Sequence, residues 1–230
     1  MNKIIVLDQG YVTLVEAYGS DERVIEAARM STDKGFNGWG YDNAPGDEKL
    51  LAYLYNNKHM TPFEMAGMII EVKAPIFVFR EWHRHRTQSY NEMSARYIPL
   101  PDENYTPSIE RLMLGANTAT TNKQAQGSGV RLDTLHATRW RHDLEELYTK
   151  AQELYAEGIE IGVPKELARL PVPVARYSRM RASANLRNWL AFLTLRQAPA
   201  AQWEIRQYAD AVGTLIKENF PRTWNLFKTE

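Results

Sequence analysis

Residues 67–79, GMIIEVKAPIFVF, constrain the fold more than any other stretch. GMIIEVKA reads as a buried strand. Pro75 fits the opening of a helix that runs on through Ile76, Phe77 and Phe79. A core strand thus feeds a core helix, and the chain leaves that helix in a sharply different composition. Residues 80–97, REWHRHRTQSYNEMSARY, hold four arginines, two histidines and two glutamates, with two serines, an asparagine and two tyrosines, and no amphipathic period. Two readings are open. One is a solvated charged face, with Arg84, Arg86 and Arg96 paired to Glu81 and Glu92. The other is a ligand groove. If residues 89–97 are extended, Glu92, Ser94 and Arg96 share one face and Ser89, Asn91 and Met93 the other. A polar face beside core elements favours the groove.

The flanking sequence predicts a mixed fold. YVTLVEAYG (11–19) alternates as a strand ending at Gly19, and Ser20 or Asp21 caps a following helix. KGFNGWGYDNAPG (34–46) reads as a glycine-aromatic loop. Leu50, Leu51, Leu54 and Tyr55 mark a helix with Asp47 and Glu48 in its first turn. KHMTPFE (58–64) groups His59, Thr61 and Glu64 around Pro62, which alone is a helix-to-strand turn. Residues 100–142 lose this order, and GANTATTNKQAQGSG reads as a mobile insertion. Helical spacing resumes from Leu144 to Tyr155 and stops at Gly158. A short helix lies between Pro164 and Pro171. YSRMRASAN (177–185) reads as a strand with Tyr177, Arg179, Arg181 and Ser183 on one face. Helices follow near 186–195 and 200–219. There is no internal repeat and no strict βαβ alternation, so the expected class is α+β: a mixed sheet with packed helices in one domain spanning 1–230.

Composition closes off several chemistries. The chain has no cysteine, so disulfides, zinc-thiolate sites and cysteine nucleophiles are excluded. The formal charge is zero, 28 basic against 28 acidic residues, which argues against a nucleic-acid or membrane surface. The apolar run in MNKIIVLDQG is cut by Asp8, so no signal peptide is expected, and no run approaches a membrane span. A soluble, cytoplasmic protein is the expectation. His83 and His85 form H-x-H, but with only His59, His136 and His142 as further histidines no metal site is expected. Neither dinucleotide fingerprint is present: GFNGWG has the wrong glycine order, and no P-loop exists.

The basic residues are 18 Arg against 10 Lys. Arginine's planar fork suits phosphate and carboxylate, which points to local anion sites. Arg169, Arg176, Arg179, Arg181, Arg187 and Arg196 fall in a stretch, 167–203, with no acidic residue. They must find distant carboxylates, water or a polyanionic ligand, and the ligand is the favoured reading.

Together these stretches resemble the flavin-dependent thymidylate synthases. That family's pattern R-H-R-x-x-S-x-N-E-x-S-x-R-Y is met at Arg84, His85, Arg86, Ser89, Asn91, Glu92, Ser94, Arg96 and Tyr97, all nine fixed positions in 14. HMTPFE, AQWEIRQYA (201–209) and AARMS (27–31) also resemble family segments. The resemblance covers roughly 1–99 and 143–230. It implies methylation of deoxyuridylate (dUMP) to thymidylate (dTMP), with 5,10-methylenetetrahydrofolate as carbon donor, FAD as cofactor and NADPH as reductant. A homotetramer with shared sites is implied as well. The resemblance places Ser31, Thr61, Glu64, Arg84, His85, Arg86, Asn91, Glu92, Asn185 and Arg187 at FAD. It places Glu81, Arg84, Ser94, Arg96, Arg169 and Arg196 at dUMP. Arg196 and His59 carry the catalytic roles, His59 lying over the flavin. The chain departs from common family patterns at Ala200, Met65 and Ala191, which bears on flavin and folate contacts. The alternative is a non-catalytic arginine-rich module that binds nucleotides or RNA.

Overall fold

A computed structural model describes residues 3–40, 46–116 and 131–229. Five strands form one sheet in the order β1-β2-β3-β5-β4: β1 (Lys3–Val6), β2 (Gly10–Tyr18), β3 (Gly67–Pro75), β4 (Ser89–Glu92) and β5 (Tyr177–Asn185). Every neighbouring pair is antiparallel. The helices are α1 (Asp21–Arg29), α2 (Glu48–Asn56), α3 (Ile76–Trp82), α4 (Ile109–Ala116), α5 (Thr134–Glu160), α6 (Lys165–Ala168), α7 (Leu186–Arg196), α8 (Trp203–Asn219) and α9 (Pro221–Thr229).

The pleat decides which face is covered. Met68, Ile70, Val72 and Ala74 of β3 are buried on one face, and Met180, Ala182 and Ala184 continue that face on β5. Trp82, Trp189, Phe192 and Tyr208, from α3, α7 and α8, complete the core over it. The opposite face is polar, with Tyr11 donating to Glu71 at 2.8 Å and Lys73 paired to Glu103 at 2.8 Å. β2 gives way to Gly19, whose φ of 70° favours a residue without a Cβ, and Ser20 then caps α1 by accepting from Arg23 N at 3.3 Å. At Gly10 a Cβ would stand 2.0 Å from the Tyr208 hydroxyl, so only glycine lets α8 approach the sheet there.

The expected strands and helices at 11–19, 67–74, 76–79, 177–185, 186–195 and 200–219 are present within a few residues. Three expectations fail. Residues 100–116 and 131–142 are built into the fold, and only 117–130 of the supposed insertion lies outside the described residues. There Glu204 takes the Arg111 guanidinium at 2.8 Å and the Tyr105 hydroxyl at 3.2 Å, while Tyr148 donates to Tyr105 O at 3.0 Å. α5 does not stop at Gly158, which is buried inside it. Finally, extended structure does not run through 89–97. β4 ends at Glu92, and a turn follows in which Tyr97 N bonds Ser94 O at 3.0 Å. Glu92, Ser94 and Arg96 therefore do not line one strand face.

Candidate active site

Pro75 turns β3 into α3, and Tyr90 donates to Trp82 O at 3.1 Å and His85 O at 2.7 Å. Those bonds fold the segment after α3 back so that β4 pairs with β5, Asn91 opposite Arg181. The polar stretch is thereby pinned at the sheet edge against the core.

Three groups of the expected site residues emerge. The first is a knot at the ends of α3 and α7. Arg196 donates from Nε to His85 Nε2 at 2.8 Å, from Nη1 to the Glu81 carboxylate at 2.8 Å and from Nη2 to Glu81 O at 2.6 Å. Burial first, then the Arg196 charge, pushes the His85 imidazole down to about 4, with Glu81 opposing. A neutral ring whose Nε2 is an acceptor is what this geometry requires, which places the proton on Nδ1. Three of five guanidinium N–H groups are used, leaving two to meet a ligand.

The second group surrounds a cleft of about 480 Å³ lined by His59, Thr61, Lys58 and Arg187. Glu64, in the short 3₁₀ turn Thr61–Met65, pairs with Arg187 at 2.5 Å. Asn185 caps α7 by accepting from Asn188 N at 3.0 Å, which aims the first turn and Arg187 at this cleft. Ser31 is exposed in a 3₁₀ turn and donates to O of Ala28, which also lines the cleft. His59 is exposed and packs edge-on to Tyr53.

The third group lies beside the start of α3, in a cleft of about 490 Å³ lined by Glu92, Ser94 and Arg169. Asn91, next to Glu92 in β4, is exposed, as are Arg84 and Arg86, which flank His85 beyond the end of α3. Arg96 is engaged with Glu166 at 3.2 Å. One protomer thus keeps Arg169 and Arg196 in separate groups. Arg187 and Arg196 are also apart, nine positions or about 13 Å along α7.

The arginines of the acid-free stretch meet three different fates. Arg176 is a fully buried structural residue, donating to Asn104 Oδ1 at 3.0 Å, Pro101 O at 2.6 Å and Gln152 Oε1 at 2.9 Å. Arg187 and Arg196 found distant carboxylates, as did Arg181 with Glu71 at 3.7 Å. Arg169 remains at a cleft. His83 and His85 diverge: His83 Nε2 lies 3.2 Å from Met180 Sδ while His85 faces Arg196. Ser178 lines the Arg169 cleft and was missed. Its signal was a polar residue in the apolar phase of β5, alternating with Arg179 and Arg181.

The family described as thymidylate synthase complementing protein (Thy1) matches residues 13–222. The chain belongs to the Thy1 family. It is 41% identical over 225 residues to a flavin-dependent thymidylate synthase of Thermus thermophilus, covering 98% of this chain and 78% of that protein. It is 38% identical to one of Thermotoga neapolitana, covering 98% and 94%. Among solved structures, the UMP/dUMP methylase PolB of Streptomyces cacaoi, bound with 5-Br UMP, superposes with a TM-score of 0.83 at 31% identity, covering 97% of this chain and 96% of that one. The Thy1 match spans all three groups of site residues and the sheet edge between them.

Proposed function

We propose that this chain is a flavin-dependent thymidylate synthase, methylating dUMP to dTMP with 5,10-methylenetetrahydrofolate as carbon donor and NADPH as reductant. The observation that carries the reading is the strip from Arg84 to Tyr97, with all nine pattern residues. It is pinned beside the Arg196 knot in a chain that aligns nearly end to end with relatives of that name. The pyrimidine nucleotide in the PolB structure supports a pyrimidine monophosphate as substrate.

The residues fit an FAD. Arg84 and Arg86 are exposed and make no ion pair among the described residues, which suits a diphosphate. His85, Asn91, Glu92, Ser31, Thr61, Glu64, Asn185 and Arg187 would hold the remainder, and His59 would serve the flavin from the same cleft as Thr61 and Arg187. FAD supplies the reducing equivalents, so no cysteine nucleophile is needed. Ser94, Arg96 and Arg169 grip the dUMP phosphate, and Arg84 borders it. Arg196, oriented by His85 and Glu81, directs its two free N–H groups at the uracil carbonyls. Negative charge gathers there as the ring carbon becomes nucleophilic, and a preorganised cation stabilises it without reorganising at the moment of reaction.

The separation of Arg169 from Arg196 within one protomer supports sites completed by other subunits, and we assign a homotetramer. Its supporting surface is on α5. Trp140, Leu147, Leu154 and Ile161 recur every seven residues and are 52%, 59%, 58% and 71% exposed. That spacing forms a helix-pairing seam. The single domain over 1–230 is part of the same proposal.

The residue-level test is Arg196→Ala in the flavin-loaded enzyme. dTMP formation should fall by at least a hundredfold, the scale of losing one transition-state donor, while FAD stays bound. Loss of FAD instead would place Arg196 at the cofactor and contradict the assignment.

A further inference from the structure

We propose that Ser178 is a phosphate ligand for the nucleotide substrate, its hydroxyl donating to a phosphate oxygen beside Arg169 and Ser94. The inference rests on the dUMP reading above and adds a residue to it. Ser178 is the second residue of β5, opposite Ala74 of β3, and it is 2% exposed. Its neighbours on the same strand face are Met180, Ala182 and Ala184, all buried and apolar. Its Oγ has no hydrogen-bond partner among the described residues. Buried hydroxyls are nearly always paired, and one left unpaired costs stability in the empty protein.

The surroundings say what pairs with it. Ser178 lines the same cleft as Glu92, Ser94 and Arg169, the other polar side chains of the lining, and the walls beside it are Ile76 and Val172. A guanidinium and two hydroxyls converging on an apolar-walled cleft form a donor set for a tetrahedral oxyanion. Glu92, assigned to FAD above, repels an anion and so leaves the phosphate to Arg169 and the two hydroxyls. A ligand phosphate therefore supplies the acceptor that the protein does not.

Three variants separate the hydroxyl from its volume: Ser178→Ala, Ser178→Thr and Ser178→Val, the last two matched in shape. Calorimetric titration of flavin-loaded enzyme with dUMP and with deoxyuridine reads the phosphate alone. Ser178→Ala and Ser178→Val should weaken dUMP binding about tenfold, the scale of one hydrogen bond to a charged group. Ser178→Thr should stay within about threefold of wild type, and deoxyuridine binding should be unchanged throughout. Ligand-free Ser178→Ala should melt no lower than wild type, because it removes an unpaired polar group. Unchanged dUMP affinity in the alanine and valine variants overturns the proposal. So does an equal loss for deoxyuridine, which would place the hydroxyl at the ring. Wild-type enzyme that binds no dUMP overturns instead the functional reading on which this rests.

Discussion

Lowering the pH should break the Arg196 knot at its histidine. The His85 ring is half-buried against Phe192, with ring centroids 4.9 Å apart, and its Nε2 receives the Arg196 Nε proton at 2.8 Å. Protonation converts that acceptor into a donor facing a guanidinium. Burial and the Arg196 charge therefore lower the folded value from 6.5 to about 4. Below 6.5 the unfolded chain takes up a proton that the folded chain refuses. The stability contribution is thus complete above 6.5 and drains away as the pH falls toward 4. The full shift corresponds to about 3 kcal/mol, which solvent screening of a half-exposed ring reduces to about 1–2 kcal/mol. The assay is NMR titration of labelled imidazole, with the His85 resonance identified by its loss in His85→Gln. In Arg196→Leu the titration should move upward but stop short of 6.5, since burial is the larger cause. A wild-type His85 midpoint between 6 and 7 would mean that neither burial nor the Arg196 charge acts on the ring.

Arg176→Met removes a guanidinium that joins β5, the 101–104 segment and α5, and leaves the Asn104, Pro101 and Gln152 oxygens without their donor. Denaturant unfolding should show a loss of about 1–3 kcal/mol, the scale of leaving buried acceptors unpaired, and a loss well under about 1 kcal/mol would show those oxygens are solvated. Leu147→Glu with Leu154→Glu places charge in the α5 seam. Sedimentation should then report a species smaller than wild type, and an unchanged mass would remove α5 from the subunit interface. Gly10→Ala drives a Cβ into the Tyr208 hydroxyl, and thermal melts should fall by several degrees, consistent with about 1–3 kcal/mol for overpacking. An unchanged melting temperature would mean that α8 yields freely.

What could be read from the residues depended on how locally each element is determined. β3, α3 and β5 were legible because their apolar pattern and Pro75 act within a few residues. α9 was not. Its start is held by Asp21, which accepts from Arg222 N at 2.8 Å and from the Thr223 hydroxyl at 2.6 Å, some two hundred positions away. The first turns of α5 were missed because TLHATRWRHD is mostly polar. There the helix rests on Asp133, which caps it by accepting from His136 N at 2.9 Å. The extended reading of 93–97 failed because Ser94 turns the chain on its own carbonyl.

The candidate site was legible as residue types, since Arg84 to Tyr97 match a fixed spacing. Its geometry was not. Nothing in the sequence said that Arg176 would be consumed inside the fold while Arg196 was tied to His85 and Glu81. Those outcomes depend on which carboxylates and carbonyls the topology brings within reach, a property of the assembled sheet and helices.

Whether flavin carries the methylation is decided by supplying purified protein with dUMP, 5,10-methylenetetrahydrofolate and NADPH, with and without FAD, and measuring dTMP. dTMP should appear only with flavin bound, accompanied by dUMP-dependent changes in the visible flavin absorption. A protein that stays colourless after FAD is added and makes no dTMP, or one that makes dTMP without flavin, would contradict it.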